Sequence, residues 1–163
     1  MSAPKPGLPI VGADADAPTP ETAMQRETPD DGVRRDLRDE DLHALLVAFY
    51  DTVERDGLLA PYFVPVDMTA HMPRIVDFWS TLLFHTGRYT GNAFRPHLEM
   101  PGLTAAHFAR WVETMARTVN SRAAGPAAEH MKALAHRIAY SMQLRLGIEP
   151  FADFRPMIAP DER

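Results

Sequence analysis

Four apolar stripes with the period of an α-helix run through the chain between residues 42 and 147. The first stripe recurs at i, i+3, i+4, i+7, i+8 and i+11, which places its side chains on one helix face. The stripes are Leu42, Leu45, Leu46, Phe49, Tyr50 and Val53; Met72, Ile75, Val76, Trp79, Leu82 and Leu83; Phe108, Trp111, Val112, Met115 and Val119; and Met131, Leu134, Ala135, Ile138 and Met142. No stretch alternates apolar and polar residues with period two, so the pattern predicts an all-α protein without a sheet.

Residues that favour helix ends flank these stripes. Asp36 or Asp39 is suited to cap the first helix, and Thr69 and Thr104 to cap the second and third. Such short polar side chains accept hydrogen bonds from the free N–H groups of a first helical turn. Pro126 suits the first turn of the fourth helix, where its missing N–H has no intrahelical partner to lose. We therefore expect four long helices with defined ends.

The segment from Gly87 to Leu103 is too long for a simple connection between the second and third helices. A compact domain rarely contains so long a connection unless it has a function. A short helix from Asn92 to Met100 would hold His97 there. The earlier segment from Leu58 to Pro65 is rich in proline and predicts a corner with one short turn of helix.

Both ends of the chain differ in composition from the middle. Residues 1–36 hold six of the 15 prolines, and the first aromatic residue of the chain is Phe49. A segment of this kind cannot bury enough apolar surface to offset its ordering entropy, so we interpret it as a disordered extension. The predicted domain covers residues 37–147. Residues 148–163 form a predicted irregular tail, whose Phe151 and Phe154 could pack back on the domain.

Composition excludes several classes of function. The net charge of −5 argues against a nucleic-acid binder, which needs a basic surface to neutralise phosphates. No apolar run approaches the length of a membrane span, and no signal peptide follows Met1, so a cytoplasmic protein without membrane contact is expected. The chain has no cysteine, which excludes disulfides, thiolate catalysis and iron–sulfur clusters. Any metal chemistry must therefore use the seven histidines and the carboxylates.

His97 and Tyr50 each allow two interpretations. An imidazole on a short element between two long amphipathic helices can point back into the bundle, as an axial haem ligand does. The alternative for His97 is an ordinary surface histidine in a loop. Tyr50 lies on the buried stripe of the first helix, where its hydroxyl could donate to a bound diatomic molecule. The alternative is a core tyrosine bonded to a backbone carbonyl.

His71 and Trp111 are further candidates. His71 precedes Ile75 by four residues and Trp79 by eight, so it flanks the apolar stripe and could face a ligand pocket. A partly exposed histidine in a first helical turn fits the same pattern. Trp111 stands at the centre of its stripe, where core packing explains most of its role and a ring N–H directed into a pocket would be additional.

With these residues in place, the chain resembles a truncated haemoglobin of group III in the globin superfamily. The resemblance runs from about Leu42 to Leu146. It rests on Ala48-Phe49-Tyr50-x-x-Val53-x-x-Asp56, Leu59-x-Pro61-x-Phe63, His71, Phe78-Trp79, Tyr89-x-Gly91, His97-Leu98 and His107-Phe108-x-x-Trp111. The order and spacing of Tyr50, His71, Trp79, His97 and Trp111 carry its specificity.

The resemblance implies a shortened globin, with two helices packed on two and a non-covalent haem b between them. His97 would match the proximal ligand of the iron, and Tyr50, His71 and Trp111 the distal polar residues. Residues that would contact the haem are Phe63 at its edge, the apolar Ile75, Trp79, Leu98 and Phe108, and Arg95, which we expect to pair with a propionate. Arg74 and Arg88 are further candidates to pair with a propionate, although a solvated surface charge is the favoured interpretation of each.

A protein of this kind would bind O2, NO or CO at the iron. The resemblance favours redox or detoxification chemistry over bulk transport, with an unidentified reductase as a partner. An alternative is a haem enzyme of the peroxidase or NO-dioxygenase type, with Tyr50 and Trp111 as donors. A second alternative is a haem-free helical sensor or interaction module, although such a module would need neither His97 nor Tyr50.

Overall fold

The computed structural model describes residues 34–154. Residues 1–33 of the predicted extension and residues 155–163 of the predicted tail lie outside this described part. Every regular element from residue 34 to residue 154 is helical, as the stripes predict. The α-helices are α1 (Leu42–Arg55), α2 (Ala60–Phe63), α3 (Met68–Phe84), α4 (Ala105–Arg122) and α5 (Pro126–Arg145), and 3₁₀ helices span Asp39–Asp41, Arg95–Glu99 and Ala152–Phe154.

The long helices form two pairs. Helix α1 packs on α3, α4 packs on α5, and α1 also contacts α4 and thereby joins the pairs. All six residues of the first predicted stripe are buried on α1. Trp79 of α3, Met115 of α4 and Met131 of α5 meet them in one core. The arrangement follows from amphipathicity, because each helix can bury its apolar stripe only against a neighbour.

Two of the predicted helix caps differ in the structure. Asp36 does not cap the first helix: its carboxylate accepts hydrogen bonds from the N–H groups of Ala127 and Ala128, both at 3.0 Å, at the start of α5. Asp67, in place of Thr69, caps α3 by accepting from the N–H of Ala70 at 3.2 Å. The described contacts therefore begin before residue 37, where we expected the domain to start.

Other predicted helix ends are present. Thr104 is the N-cap of α4, and its N–H donates to Nδ1 of His107 at 3.1 Å. Pro126 occupies the first turn of α5. The end of α3 is different, because it lies at His85, which the sequence did not single out and which has the left-handed conformation with φ of 55°, a region that most side chains avoid. None of the helices in the described range is long and apolar enough to cross a membrane.

The chain after α5 folds back on the bundle. Phe154 is buried against Phe108, Ala139 and Met142, and its ring stacks on that of His136 at a centroid distance of 4.5 Å. Phe151 is 49% exposed. Of the two phenylalanines considered for this role in the tail, Phe154 therefore packs on the domain.

Candidate functional site

A cavity of about 370 Å³ lies between the helix pairs. Its walls come from α1, the α2 corner, α3, α4, α5 and the long connection that follows α3. Most of the lining is apolar, and a few polar side chains reach it. A concave, largely apolar space with a few placed polar groups is the usual form of a ligand or cofactor site, and the volume of this cavity lies in the range of such sites.

His97 lines this cavity from the 3₁₀ helix Arg95–Glu99. Its Nδ1 lies 2.9 Å from the carbonyl oxygen of Ala93. Because a carbonyl can only accept, Nδ1 carries the proton and Nε2 keeps a free lone pair. Burial lowers the pKa of His97 below its usual range, while the bond to Ala93 opposes this shift. The ring is therefore held neutral and oriented, which is the state that a metal-ligating histidine requires.

The phenol of Tyr50 enters the same cavity from α1. The residue is 9% exposed, and its hydroxyl makes no hydrogen bond with any other residue of the described range. Burial raises the pKa of Tyr50 well above its ordinary range, so the hydroxyl stays protonated. The rings of Phe49 and Phe63 pack against the phenol, with centroid distances of 4.8 and 5.6 Å. The hydroxyl is thus a buried donor available to a molecule in the cavity, and the structure does not give it the backbone partner of an ordinary core tyrosine.

His71 and Trp111 also line the cavity. His71 of α3 is exposed and lies where the cavity meets solvent. Trp111 of α4 is half-buried, and its ring packs edge-on against Phe49 at 5.7 Å. The cavity thus brings together all four polar residues that the resemblance singled out.

Four of the six other predicted contact residues line the cavity: Phe63, Ile75, Trp79 and Phe108. Arg95 and Leu98 do not, and Leu98 is 58% exposed. The reason is the geometry of a 3₁₀ helix, which has three residues per turn. Arg95 and Leu98 therefore share one face, while His97 and Met100 share another that turns inward.

Arg74, for which a surface charge was the favoured interpretation, is exposed and lines the cavity. Sequence reasoning missed other lining residues, among them Asn92. Tyr62 and His107 also contribute, with their rings 5.3 Å apart. An aromatic residue in a proline-rich corner was the available signal for Tyr62. For Arg74 the signal was its position one residue before Ile75, at the edge of the stripe.

Comparisons with known proteins agree with this architecture, although no family model matches the chain. The curated "Group 3 truncated hemoglobin ctb" of Campylobacter jejuni is 27% identical over 90 residues, which cover 52% of this chain and 71% of that protein. The crystal structure of a group III truncated haemoglobin from Campylobacter jejuni matches with a TM-score of 0.62 at 25% identity. This match covers 68% of our chain and 91% of the other. The chain has the fold of a group III truncated haemoglobin.

The resemblance inferred from the sequence is thereby confirmed, and so is the all-α truncated globin fold. The truncated haemoglobin fold accounts for the two packed helix pairs and for the cavity that they enclose. The long connection between α3 and α4 carries His97.

Proposed function

We propose that this truncated haemoglobin binds haem b non-covalently in its cavity and takes up O2, NO or CO there. The observation that carries the proposal is the shared cavity of His97 and Tyr50, with a free imidazole nitrogen and an unpartnered phenol inside apolar walls. These residues fit the group, because haem needs an apolar slot, one nitrogen ligand and a small number of polar contacts. When bound, haem would supply an iron that takes small ligands and exchanges electrons.

In this proposal His97 holds the iron through Nε2. The Ala93 carbonyl keeps the ring in the required tautomer and orientation. The lowered pKa of His97 supports this role, because a protonated ring has no lone pair for a metal. Phe63, Ile75, Trp79 and Phe108 would supply apolar contact to the porphyrin.

Tyr50 is the proposed main donor to a small ligand. Its hydroxyl is buried and protonated, and it is free to turn toward a polar ligand atom. Trp111 of α4 lines the cavity as well, and its ring N–H is the proposed second donor, while exposed His71 is a third polar group at one edge of the cavity. A polar set of this kind suits redox or detoxification chemistry, for which a reductase is the proposed partner. The cytoplasmic location and the reductase themselves stay predictions from the sequence.

Arg74 replaces Arg95 as the proposed partner of a haem propionate. Arg74 lines the cavity at an exposed edge and forms no ion pair with a described side chain. Arg88 is already engaged, since its guanidinium donates to Asp39 at 3.0 Å and to Asp77 at 3.1 Å. A free guanidinium beside an apolar slot suits a carboxylate attached to an apolar ring.

The unpartnered Tyr50 favours a haem protein over a haem-free helical module. A module without cofactor has no need of a phenol hydroxyl that opens into an apolar cavity beside the imidazole of His97. A turnover enzyme of the peroxidase or NO-dioxygenase type would use the same donors, and its distinguishing property is a rate with a cellular reductant that exceeds that of free haem.

The test is the absorption spectrum of the purified protein and its titration with haem. We expect a strong Soret band that saturates at one haem per chain and shifts on addition of CO. A protein that purifies without haem and shows no saturable spectral change on titration would contradict the proposed function.

A further inference from the structure

One edge of the cavity is held by a bond between two distant parts of the chain. The hydroxyl of Tyr62, on α2, donates to the carbonyl oxygen of Pro101 at 2.8 Å. Pro101 belongs to the turn that precedes α4. The Tyr62 side chain lines the cavity, whereas its hydrogen bond is exposed to solvent. The phenol therefore lies where the interior of the cavity meets water.

Two residues flank the Tyr62 side chain, Gly102 in the turn and His107 on α4. Gly102 adopts φ of +82°, and a Cβ built there would lie 3.2 Å from the Tyr62 oxygen. A side chain at this position would be strained and would crowd the phenol. The His107 ring meets the Tyr62 ring edge-on, and its Nδ1 accepts the Thr104 N–H. Gly102 of the turn and His107 of α4 thus lie on two sides of the tyrosine.

A second exposed edge is built differently. His71 and Arg74 of α3 line it, with Tyr89 folded close to Gly91. No hydrogen bond between described residues ties His71 or Arg74 to the opposite segment. Of these two edges, only the Tyr62 edge is held by a hydrogen bond between described residues of two different segments.

We propose that Tyr62 is a specificity-determining residue that filters by size the ligands entering through this edge. The inference rests on the proposed function, because it concerns passage to the haem. An exposed neutral hydrogen bond favours its closed form by only about twofold to tenfold, so opening is frequent. At this edge, diatomic molecules pass through smaller fluctuations, whereas a bulkier neutral ligand must wait for the phenol to leave Pro101.

Tyr62→Phe removes only the oxygen that makes this bond. Tyr140→Phe is the matched control, because Tyr140 is half-buried on α5, does not line the cavity and makes no hydrogen bond to a described residue. The measurement is rebinding of CO and of n-butyl isocyanide to the haem-loaded protein after flash photolysis. We expect Tyr62→Phe to accelerate isocyanide association about twofold to tenfold and CO association by less than twofold, with Tyr140→Phe unchanged.

A second readout does not depend on haem. Hydrogen–deuterium exchange of the peptide spanning residues 100–107 should be faster in Tyr62→Phe than in the natural chain, and unchanged in Tyr140→Phe.

Three results would overturn the size filter. The first is equal acceleration of both ligands in Tyr62→Phe, and the second is no change in either ligand or in exchange. The third is isocyanide entry that responds to His71→Ala and not to Tyr62→Phe, which would place the entrance at the other edge. Absence of a Soret band would contradict the proposed function instead, and the exchange measurement would still decide whether the hydroxyl fastens this edge.

Discussion

The carboxylate of Asp36 accepts the backbone N–H of Ala127 at 3.0 Å, across 91 residues of sequence. The same carboxylate also accepts from Ala128, so it satisfies two of the free N–H groups at the start of α5. Next to it, the Ala124 N–H donates to the carbonyl oxygen of Arg35 at 3.1 Å. The chain before α1 is thus fastened to the corner between α4 and α5.

Replacement of Asp36 by alanine should lower the free energy of unfolding by about 0.5–2 kcal/mol, as loss of an N-cap does. Asp36→Asn should cost less, since asparagine also caps helices. The check is urea denaturation followed by far-ultraviolet circular dichroism. Asp51→Ala, at an exposed position of α1, is the control and should change stability little. Equal stabilities of Asp36→Ala and the natural chain would show that the cap contributes nothing.

The contact between Asp36 and Ala127 also predicts that the free energy of unfolding depends on pH. The hydrogen bond from Ala127 is the leading cause that lowers the pKa of Asp36 below its ordinary value of 3.8, and desolvation by burial opposes it. A carboxylate with a lowered folded-state pKa contributes stability that is complete above the unfolded pKa and is lost as pH falls through the folded pKa. The stability difference between the natural chain and Asp36→Asn should therefore be constant above about pH 5 and shrink below pH 3.8. A difference that grows toward low pH would contradict this assignment.

Truncation at two positions should separate the contribution of residues 1–33 from that of the Asp36 cap. A chain that begins at Arg34 keeps Arg35 and Asp36, so we expect it to retain the haem spectrum and ligand-binding rates of the full chain. A chain that begins at Arg38 loses the cap of α5 and should unfold at lower urea concentration. Loss of haem from the chain beginning at Arg34 would show that the first 33 residues contribute to the pocket.

The sequence predicts the helices well because burial of an apolar face leaves a local, periodic trace. The buried residues of α1 are the six of its predicted stripe. Capping is predicted less well, because a carboxylate can serve a helix that follows it directly or one far along the chain. Asp36 shows the second case, and sequence spacing gives no sign of it.

Some residues of the candidate site could be predicted from the sequence, and others could not. His97 and Tyr50 could be singled out because one lies in a long connection and the other on a buried stripe. Arg95 was misplaced because the prediction assumed that a neighbour of His97 would face the same way. In a 3₁₀ helix, a residue two positions away points elsewhere. The bond from Tyr62 to Pro101 joins segments 39 residues apart and depends on tertiary packing alone.

Tyr50→Phe should accelerate dissociation of O2 by something on the order of 10- to 100-fold. A hydrogen bond from a buried phenol to a partly charged ligand atom is worth roughly 1.5–3 kcal/mol, and each 1.4 kcal/mol is tenfold in rate. Dissociation of CO should change much less, because CO carries less charge when bound. Stopped-flow measurement of both gases makes the comparison. Equal shifts for O2 and CO, or no shift for O2, would leave Tyr50 as a packing residue only.

The most direct test of the central claim is the spectrum of His97→Gly with and without imidazole. The variant removes the proposed iron ligand and leaves space for a free imidazole beside Ala93. His85→Gly is the matched control, since His85 is exposed, does not line the cavity and has φ of 55°, which glycine adopts readily. We predict that His97→Gly loses haem or its normal Soret band, that imidazole restores the band, and that His85→Gly keeps it throughout. An unchanged spectrum of His97→Gly without imidazole would contradict the assignment of His97 as the haem ligand.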